Sequence, residues 1–163
     1  MNPHIAHARM ESVTLSLRWP VSANRYWSTA AIKGRAVTFV SKDAKAYKTD
    51  VAAAAMVAGL RKPIDGRIEL TVKLYPPRPQ DWAKRSAKNP DGWDDDVRCL
   101  DLDNALKVTL DALKNIAYND DKWVFRINAE RCAPDANGAR VVVTIKPLHR
   151  DAIAPDLFAG EAA

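Results

Sequence analysis

Alternation of apolar and polar residues predicts two β-strands. From Ser12 to Trp19 every second side chain is apolar, and Pro20 ends the run. The same period returns from Ile68 to Leu74, where Pro76-Pro77 ends it. A period of two is typical of a strand with one buried face. Both strands are therefore expected to lie on a hydrophobic core.

Two stretches have the period of an amphipathic helix. Ser41 is a suitable N-cap for a helix that runs to Leu60, and the alanine-rich face of this helix predicts close packing on a sheet. A second helix is predicted from Asp103 to about Asn115. Its apolar face carries Leu106, Leu110 and Leu113.

Turn-forming residues predict the remaining strands. Residues 20–27 are expected to form an extended loop, and a short strand is expected from Ala36 to Val40. Further along, Trp123 to Cys132 and Ala139 to Lys146 are predicted to be strands. A turn at Asp135 to Gly138 would join them as a hairpin.

This order of elements predicts an α/β (α+β) fold, with a mixed β-sheet and two main helices packed on it. One domain, residues 12–147, is expected between a flexible lead-in, 1–11, and a flexible tail, 148–163. The segment from Arg78 to Arg98 has no clear period and is interpreted as an inserted loop or lobe.

Composition narrows the class of protein further. Apolar residues make up 47% of the 163 residues, which is enough for a hydrophobic core. The formal net charge of +5 favours a polyanionic partner without establishing one. Cys99 and Cys132 match no zinc spacing and are interpreted as free thiols. No apolar run is long enough for a signal peptide or a membrane span, so a cytoplasmic protein without a membrane partner is expected.

Acidic residues cluster around the second predicted helix. Asp101 and Asp103 alternate where the chain enters the helix, so their carboxylates can leave on the same side. Asp120-Asp121 follows one helix and one tight turn later, and the sequence permits the pair to return to the helix start without requiring it. Converging carboxylates repel one another, and a divalent cation with oxygen ligands, such as magnesium, relieves that repulsion. Lys107, one turn after Asp103, is well placed to meet a phosphate.

Each of these residues also has an ordinary interpretation. Asp103 is a plausible helix cap, Lys107 a plausible partner in a helical ion pair, and Asp120-Asp121 a plausible pair of turn formers. Only the joint pattern favours a site. A calcium loop of the EF-hand type fits poorly, because Leu106 and Ala112 stand where that loop needs glycine and glutamate.

The joint pattern resembles the signature of the RusA family of Holliday junction resolvases. The matching elements are D-L-D-N-A-L-K at 101–107, D-A-L at 111–113, D-D at 120–121, L-R-W-P at 17–20 and S-A-N-R-Y-W at 22–27. The resemblance extends from about Val13 to Lys146. The segment 78–98 is longer than expected for the family, which leaves its part in junction binding open.

The resemblance implies a homodimeric α/β nuclease, often of phage or prophage origin, that resolves four-way DNA junctions by paired nicks. It implies a need for Mg²⁺, with Mn²⁺ also supporting activity, and no small-molecule cofactor. A bacterial or phage-infected cell would provide the cytoplasm expected above. The family's functional positions map onto Asp101, Asp103 and Asp121 as metal ligands and catalytic residues, and onto Lys107 as the catalytic lysine. Asp120 is a further candidate ligand.

Polar, basic and aromatic residues are the candidates for DNA contact. They are Asn24, Arg25, Tyr26, Lys33, Arg35, Lys84, Arg85, Lys88 and Arg98. Tyr26 and Trp27 would either stack on splayed bases or belong to the core. In the inserted segment, Trp82 and Trp93 would wedge into the crossover or clamp a dimer partner.

Two other functions stay open at this stage. One is a structure-selective nuclease that cuts other branched DNA, and the other is a non-catalytic DNA-binding dimer module of the same fold. The intact aspartates and Lys107 favour an active enzyme. A histidine-based nuclease is disfavoured, because His4, His7 and His149 lie near the ends of the chain.

Overall fold

A four-stranded mixed sheet organises the computed structural model, which describes residues 11–149. With strands numbered in chain order, it contains β1 (Val13–Arg18), β4 (Ile68–Tyr75), β5 (Val124–Arg131) and β6 (Arg140–Pro147). Their spatial order is β1-β6-β4-β5. β6 is antiparallel to both of its neighbours, whereas β5 is parallel to β4. The mixed α/β class expected from the sequence is confirmed.

One face of this sheet is covered by two helices, α2 (Lys42–Val57) and α4 (Leu102–Leu113). The alternating residues of β4 and β6 point into the core between the sheet and the helices and are almost fully buried: Ile68, Leu70, Val72, Leu74, Val141, Val143 and Ile145. The alternation of apolar and polar residues that predicted β1 and β4 therefore results from this one buried face of the sheet.

Helix α2 begins where the sequence predicts. The Ser41 hydroxyl accepts a hydrogen bond from the Ala44 amide at 3.2 Å, which caps the first turn. Ala44, Tyr47, Val51 and Ala55 form the buried face. The helix ends at Val57, so its predicted end at Leu60 is three residues too late.

A separate two-stranded hairpin consists of β2 (Trp27–Ile32) and β3 (Arg35–Val40). Its tight turn places Lys33 and Gly34 at positive φ, 49° and 76°. The prediction of β3 is confirmed, but β2 was missed. Most side chains of both strands are exposed, so no buried face produces an apolar alternation that would reveal β2.

A helical turn, α1 (Ala23–Tyr26), precedes the hairpin. The expected extended loop over residues 20–27 is therefore wrong. The Arg25 amide donates to the Ser22 carbonyl at 2.9 Å, which closes the turn. Tyr26 at its end is buried in the core, and this burial anchors the turn.

The predicted hairpin between β5 and β6 is wrong. Residues 135–138 do form a turn, with Gly138 at φ 82°, but β6 inserts between β1 and β4, and β5 pairs with the other side of β4. The composition of the strands explains this placement. β6 is rich in valine and isoleucine and suits a central position, whereas β5 contains charged residues suited to an edge.

The segment 78–98 contains a short helix, α3 (Trp82–Lys88), which sequence reasoning missed. None of its residues is buried, so it has no apolar face to produce a helical period. Arg85 connects the segment internally, with Asp81 at 2.9 Å and Asp96 at 3.0 Å.

No helix within residues 11–149 is long and apolar enough to cross a membrane. The predictions of a flexible lead-in and tail fall almost entirely on residues 1–10 and 150–163, which lie outside the described range.

Candidate active site

The D-x-D aspartates lie at the start of α4, as predicted. Asp101 is the N-cap, and its carbonyl accepts the first helical hydrogen bond from Ala105 at 3.0 Å. Its carboxylate accepts a weak hydrogen bond of 3.4 Å from the side-chain amide of Asn104 and does not cap a backbone amide of the helix. Asp103 lies in the first turn, where the helix dipole favours a negative charge. Both aspartates are exposed and accessible to a ligand.

Lys107 and Asp121 line a common cavity of about 250 Å³ beside α4. The other lining residues are Leu110, Asp111, Tyr118, Val124 and Ile127. Asp103, Lys107 and Asp111 follow one another at four-residue intervals, so they occupy one stripe of the helix, which is exposed at Asp103 and Lys107 and half-buried at Asp111. The structure thus places the predicted lysine and the later aspartate in one pocket.

Tyr118 fixes the turn that brings Asp121 back to the helix. Its fully buried side chain donates from the hydroxyl to the Leu110 carbonyl at 2.9 Å. Asn115, at φ 65°, reverses the chain, and its amide donates to the Tyr118 carbonyl at 2.7 Å. Burial, followed by the negative charges of Asp121 and Asp111, raises the pKa of Tyr118, so its hydroxyl remains protonated and able to donate.

Asp121 forms an ion pair with Lys114, whose Nζ lies 3.0 Å from Oδ2 of the carboxylate. The hydrogen bond that Lys114 donates to Asp121, and the negative charge of that carboxylate, raise the pKa of Lys114, with smaller contributions from Asp120 and Asp111. Sequence reasoning missed Lys114 and Asp111 as parts of this site. The sequence did contain an indication of both residues: the spacing of Lys107, Asp111 and Lys114 places all three on one side of a helix.

Asp120 acts as a turn former in the structure. Its carboxylate caps the short 3₁₀ turn Asp121–Trp123 by accepting from the Lys122 amide at 3.1 Å. This hydrogen bond, more than the nearby lysines, lowers the pKa of Asp120.

The three predicted metal ligands do not form one group in this structure. Within residues 11–149, no three histidine, cysteine, aspartate or glutamate side chains lie close enough to hold a metal ion. Asp101 and Asp103 are at the start of α4, whereas Asp121 binds Lys114 just beyond its end. The carboxylates have the oxygen chemistry that magnesium prefers, but not the grouping.

The N-terminal DNA-contact candidates differ in accessibility. Tyr26 is 5% exposed and belongs to the core, whereas the adjacent Trp27 is 47% exposed. Arg25 is exposed and pairs with Asp43 at 2.8 Å. Three further exposed candidates are Asn24 on α1 and Lys33 and Arg35 at the hairpin turn. Of Tyr26 and Trp27, only Trp27 has an exposed ring that a base could stack on.

The candidates in the inserted segment lie on or near α3. Lys84 and Lys88 are exposed, whereas Arg85 is half-buried between its two aspartates. Arg98 is exposed on the approach to Asp101. The rings of Trp82 and Trp93 lie 6.4 Å apart and contact each other within the segment, in line with these aromatics stabilising it.

A family model described as Endodeoxyribonuclease RusA matches residues 19–146. The match covers the α/β domain from the end of β1 onward, including the D-L-D-N-A-L-K helix, which identifies the protein as a DNA endonuclease by class. The chain belongs to the RusA family, as its motifs implied. A comparison with curated proteins found no match. Membership supports, in general terms, an enzyme that acts on Holliday junctions in recombination.

Proposed function

We propose that the protein is a magnesium-dependent endonuclease that resolves four-way DNA junctions by paired, symmetric nicks. The observation that carries this proposal is the stripe of Asp103, Lys107 and Asp111 on α4, whose last two residues line the cavity with Asp121, in a chain that matches the RusA family over residues 19–146. A stripe of carboxylates interrupted by a lysine suits a phosphodiester, because the lysine attracts the phosphate that the carboxylates alone would repel.

Asp101 and Asp103 are the side chains available to a cation. None of the ion pairs found in residues 11–149 involves either carboxylate, so no protein cation neutralises them at close range. A bound magnesium ion would supply charge neutralisation and an activated water. The magnesium requirement rests on this oxygen chemistry and on the family, because the carboxylates are not grouped around a common point.

Lys107 is the residue that we assign to transition-state stabilisation. Lys107 lines the cavity with Asp111 and Asp121, and its ammonium group would stabilise the charge that develops on the oxygens of a phosphate bound there. A positive charge that is already in place stabilises the transition state more than the ground state, and this difference accelerates cleavage.

A homodimer would provide the two active sites that symmetric nicking needs. An apolar side chain left exposed in the single chain supports this part of the proposal. Phe125 on β5 is 51% exposed and does not line the cavity of Lys107 and Asp121, and β5 lies at the edge of the sheet as far as the described strands show. Exposed apolar side chains on an edge strand favour burial against another chain.

The test is cleavage of a labelled four-way junction and of a linear duplex of the same sequence, with Mg²⁺ or with EDTA. We expect paired nicks in the junction with Mg²⁺ and none with EDTA. Equal cutting of junction and duplex would indicate a general nuclease. Junction binding without any cutting would indicate a non-catalytic module.

A further inference from the structure

The ion pair between Lys114 and Asp121 links the two ends of the turn that follows α4. Lys114 is the C-cap of the helix, and its amide donates to the Leu110 carbonyl at 3.1 Å. Asp121 opens the 3₁₀ turn that leads into β5. Tyr118, between them, fixes the turn through its bond to Leu110. Both ends of the pair are thus held by backbone structure, which distinguishes it from a chance contact between mobile side chains.

We propose that Lys114 is an internal counter-ion that occupies Asp121 in the free protein and competes with a divalent cation for this carboxylate. The proposal rests on the proposed function, since it assumes that Asp121 serves a cation. Its observational basis is the ion pair itself, in which a cation of the protein already neutralises the Asp121 carboxylate.

The exposure of the pair makes such an exchange feasible. The Lys114 and Asp121 side chains are 37% and 60% exposed, and ion pairs this accessible to water are weak. A lysine ammonium also sits on a flexible four-carbon stem, so it can leave the carboxylate without a change in the backbone. A doubly charged cation attracts a carboxylate more strongly than a single ammonium does at the same distance.

A second carboxylate is available to the displaced ammonium. Asp111 lies one helical turn before Lys114 and lines the same cavity as Asp121. Lys114 would therefore remain near the site after it releases Asp121. This makes Lys114 a positioning residue, acting through Asp121, rather than a catalytic residue.

The test is the affinity of the full chain for Mn²⁺, measured from the electron paramagnetic resonance signal of the free ion without DNA. Lys114→Met should bind Mn²⁺ more tightly than the unmodified protein, by about two- to fivefold, the range expected when a weak competing ion pair is removed. Lys122→Met is the matched control, because it removes the same charge from a neighbour that does not bind the Asp121 carboxylate. The change in Mn²⁺ affinity of Lys122→Met should be less than half of the change in Lys114→Met.

Lys114→Arg should retain the ion pair with Asp121, so its affinity for Mn²⁺ should be unchanged. Thermal unfolding should show that Lys114→Met, Lys122→Met and Lys114→Arg are all folded. Equal tightening in Lys114→Met and Lys122→Met, or weaker binding in Lys114→Met, would overturn the counter-ion role. If Mn²⁺ binds, Asp101→Asn abolishes that binding and Lys114→Met has no effect, the counter-ion role alone fails. If no variant binds Mn²⁺ at millimolar concentration, the metal requirement fails and the counter-ion role fails with it.

Discussion

Individual side chains of α4 have very different surroundings. Asp101 and Asp103 are exposed carboxylates at the helix start, whereas Lys107 lines a cavity that it shares with Asp121. Asp121 in turn is neutralised by Lys114. These surroundings lead to different expectations for each substitution.

Asp101→Asn and Asp103→Asn are each expected to abolish cleavage while junction binding persists. The substitution removes a candidate cation ligand, and it also reduces repulsion between the protein and DNA phosphates. Single-turnover cleavage and gel-shift titration of the same junction measure the two effects. Asp65→Asn, which alters an exposed carboxylate in the turn before β4, should cut normally. An Asp101→Asn enzyme that cuts at the unmodified rate in Mg²⁺ would refute the assignment.

Lys107→Ala is expected to lower the single-turnover rate much more than the affinity for DNA. The loss of one preorganised charge-stabilising group typically lowers a rate by about 10²- to 10³-fold. Lys62→Ala, at an exposed position outside the cavity, controls for the loss of one positive charge. A fall in affinity with an unchanged rate would instead show that Lys107 only anchors a phosphate.

The sequence was sufficient to locate the charged residues but not their partners. The D-L-D-N-A-L-K motif identified the start of α4 because its spacing is local to one helix. The pairing of Asp121 with Lys114 depends on a turn set by the buried Tyr118 and by Asn115 at positive φ. Asp120 was a candidate ligand because a D-D pair does not reveal which carboxylate caps the turn. Such long-range arrangements have no local periodic signal.

At the scale of helices and strands, elements with one buried face were predictable from their period. β1, β4 and α2 have that face and were found with small errors at their ends. The mostly exposed strands β3 and β5 were found from the turn-forming residues beside them, whereas β2 and α3, which contain no buried residue, were missed. The partners of β5 were also wrong, because short connections suggest hairpins, and only competition between strands for the centre of the sheet decides the order.

Tyr118→Phe is expected to lower the free energy of unfolding by about 0.5–1.5 kcal/mol, the usual contribution of one hydrogen bond. The cost stays moderate because the Leu110 carbonyl still accepts from the Lys114 amide. Urea denaturation measures the change. Tyr75→Phe, at a half-buried tyrosine of β4, should cost less. A Tyr118→Phe protein as stable as the unmodified one would show that its hydroxyl does not stabilise the turn.

The turn before β6 is expected to stabilise the protein in a pH-dependent way. Arg140 donates two hydrogen bonds of 2.7 Å to Asp135, and these, above all, lower the pKa of Asp135 from 3.8 to about 2. A carboxyl group with a lowered pKa stabilises the fold at pH values above its ordinary pKa of 3.8. This stabilisation is lost as the pH falls towards the lowered pKa of about 2. Asp135→Asn should therefore destabilise the protein at pH 6, and its difference from the unmodified protein should shrink between about pH 4 and about pH 2.

Urea unfolding of both proteins at several pH values measures that difference. Asp65→Asn is the control, since its carboxylate forms none of the ion pairs in the described range. A difference between Asp135→Asn and the unmodified protein that stays constant from pH 6 to pH 3 would contradict the role of this pair.

At the scale of the whole molecule, charge and assembly decide how DNA is held. The net charge of +5 favours DNA of any shape, because phosphate contacts release counterions and are not specific to a junction. Selectivity for a junction must therefore come from shape and from two sites held at a fixed distance. A homodimer supplies both properties, whereas one chain supplies neither.

We expect a homodimer that prefers a four-way junction to duplex DNA, and a preference that survives when salt is raised. Affinity for both DNAs should fall steeply as the salt concentration rises, because binding to either DNA releases counterions from the phosphates. Sedimentation fixes the mass, and competition between junction and duplex at two salt concentrations measures selectivity. A monomer at micromolar concentration, or equal affinities at the higher salt, would refute junction resolution and leave a general nuclease.

The position of β6 has a consequence for synthesis on the ribosome. β6 is the last described strand to be made, yet it is the only described strand that pairs with β1, the first. Until residues 140–147 have emerged, β1 has no strand partner, and β4 lacks its neighbour on that side. Helix α4 is translated well before this point, but the sheet that supports it is completed only afterwards. A nascent chain that stalls before Arg140 would therefore carry the D-L-D-N-A-L-K motif without the folded domain that orients it.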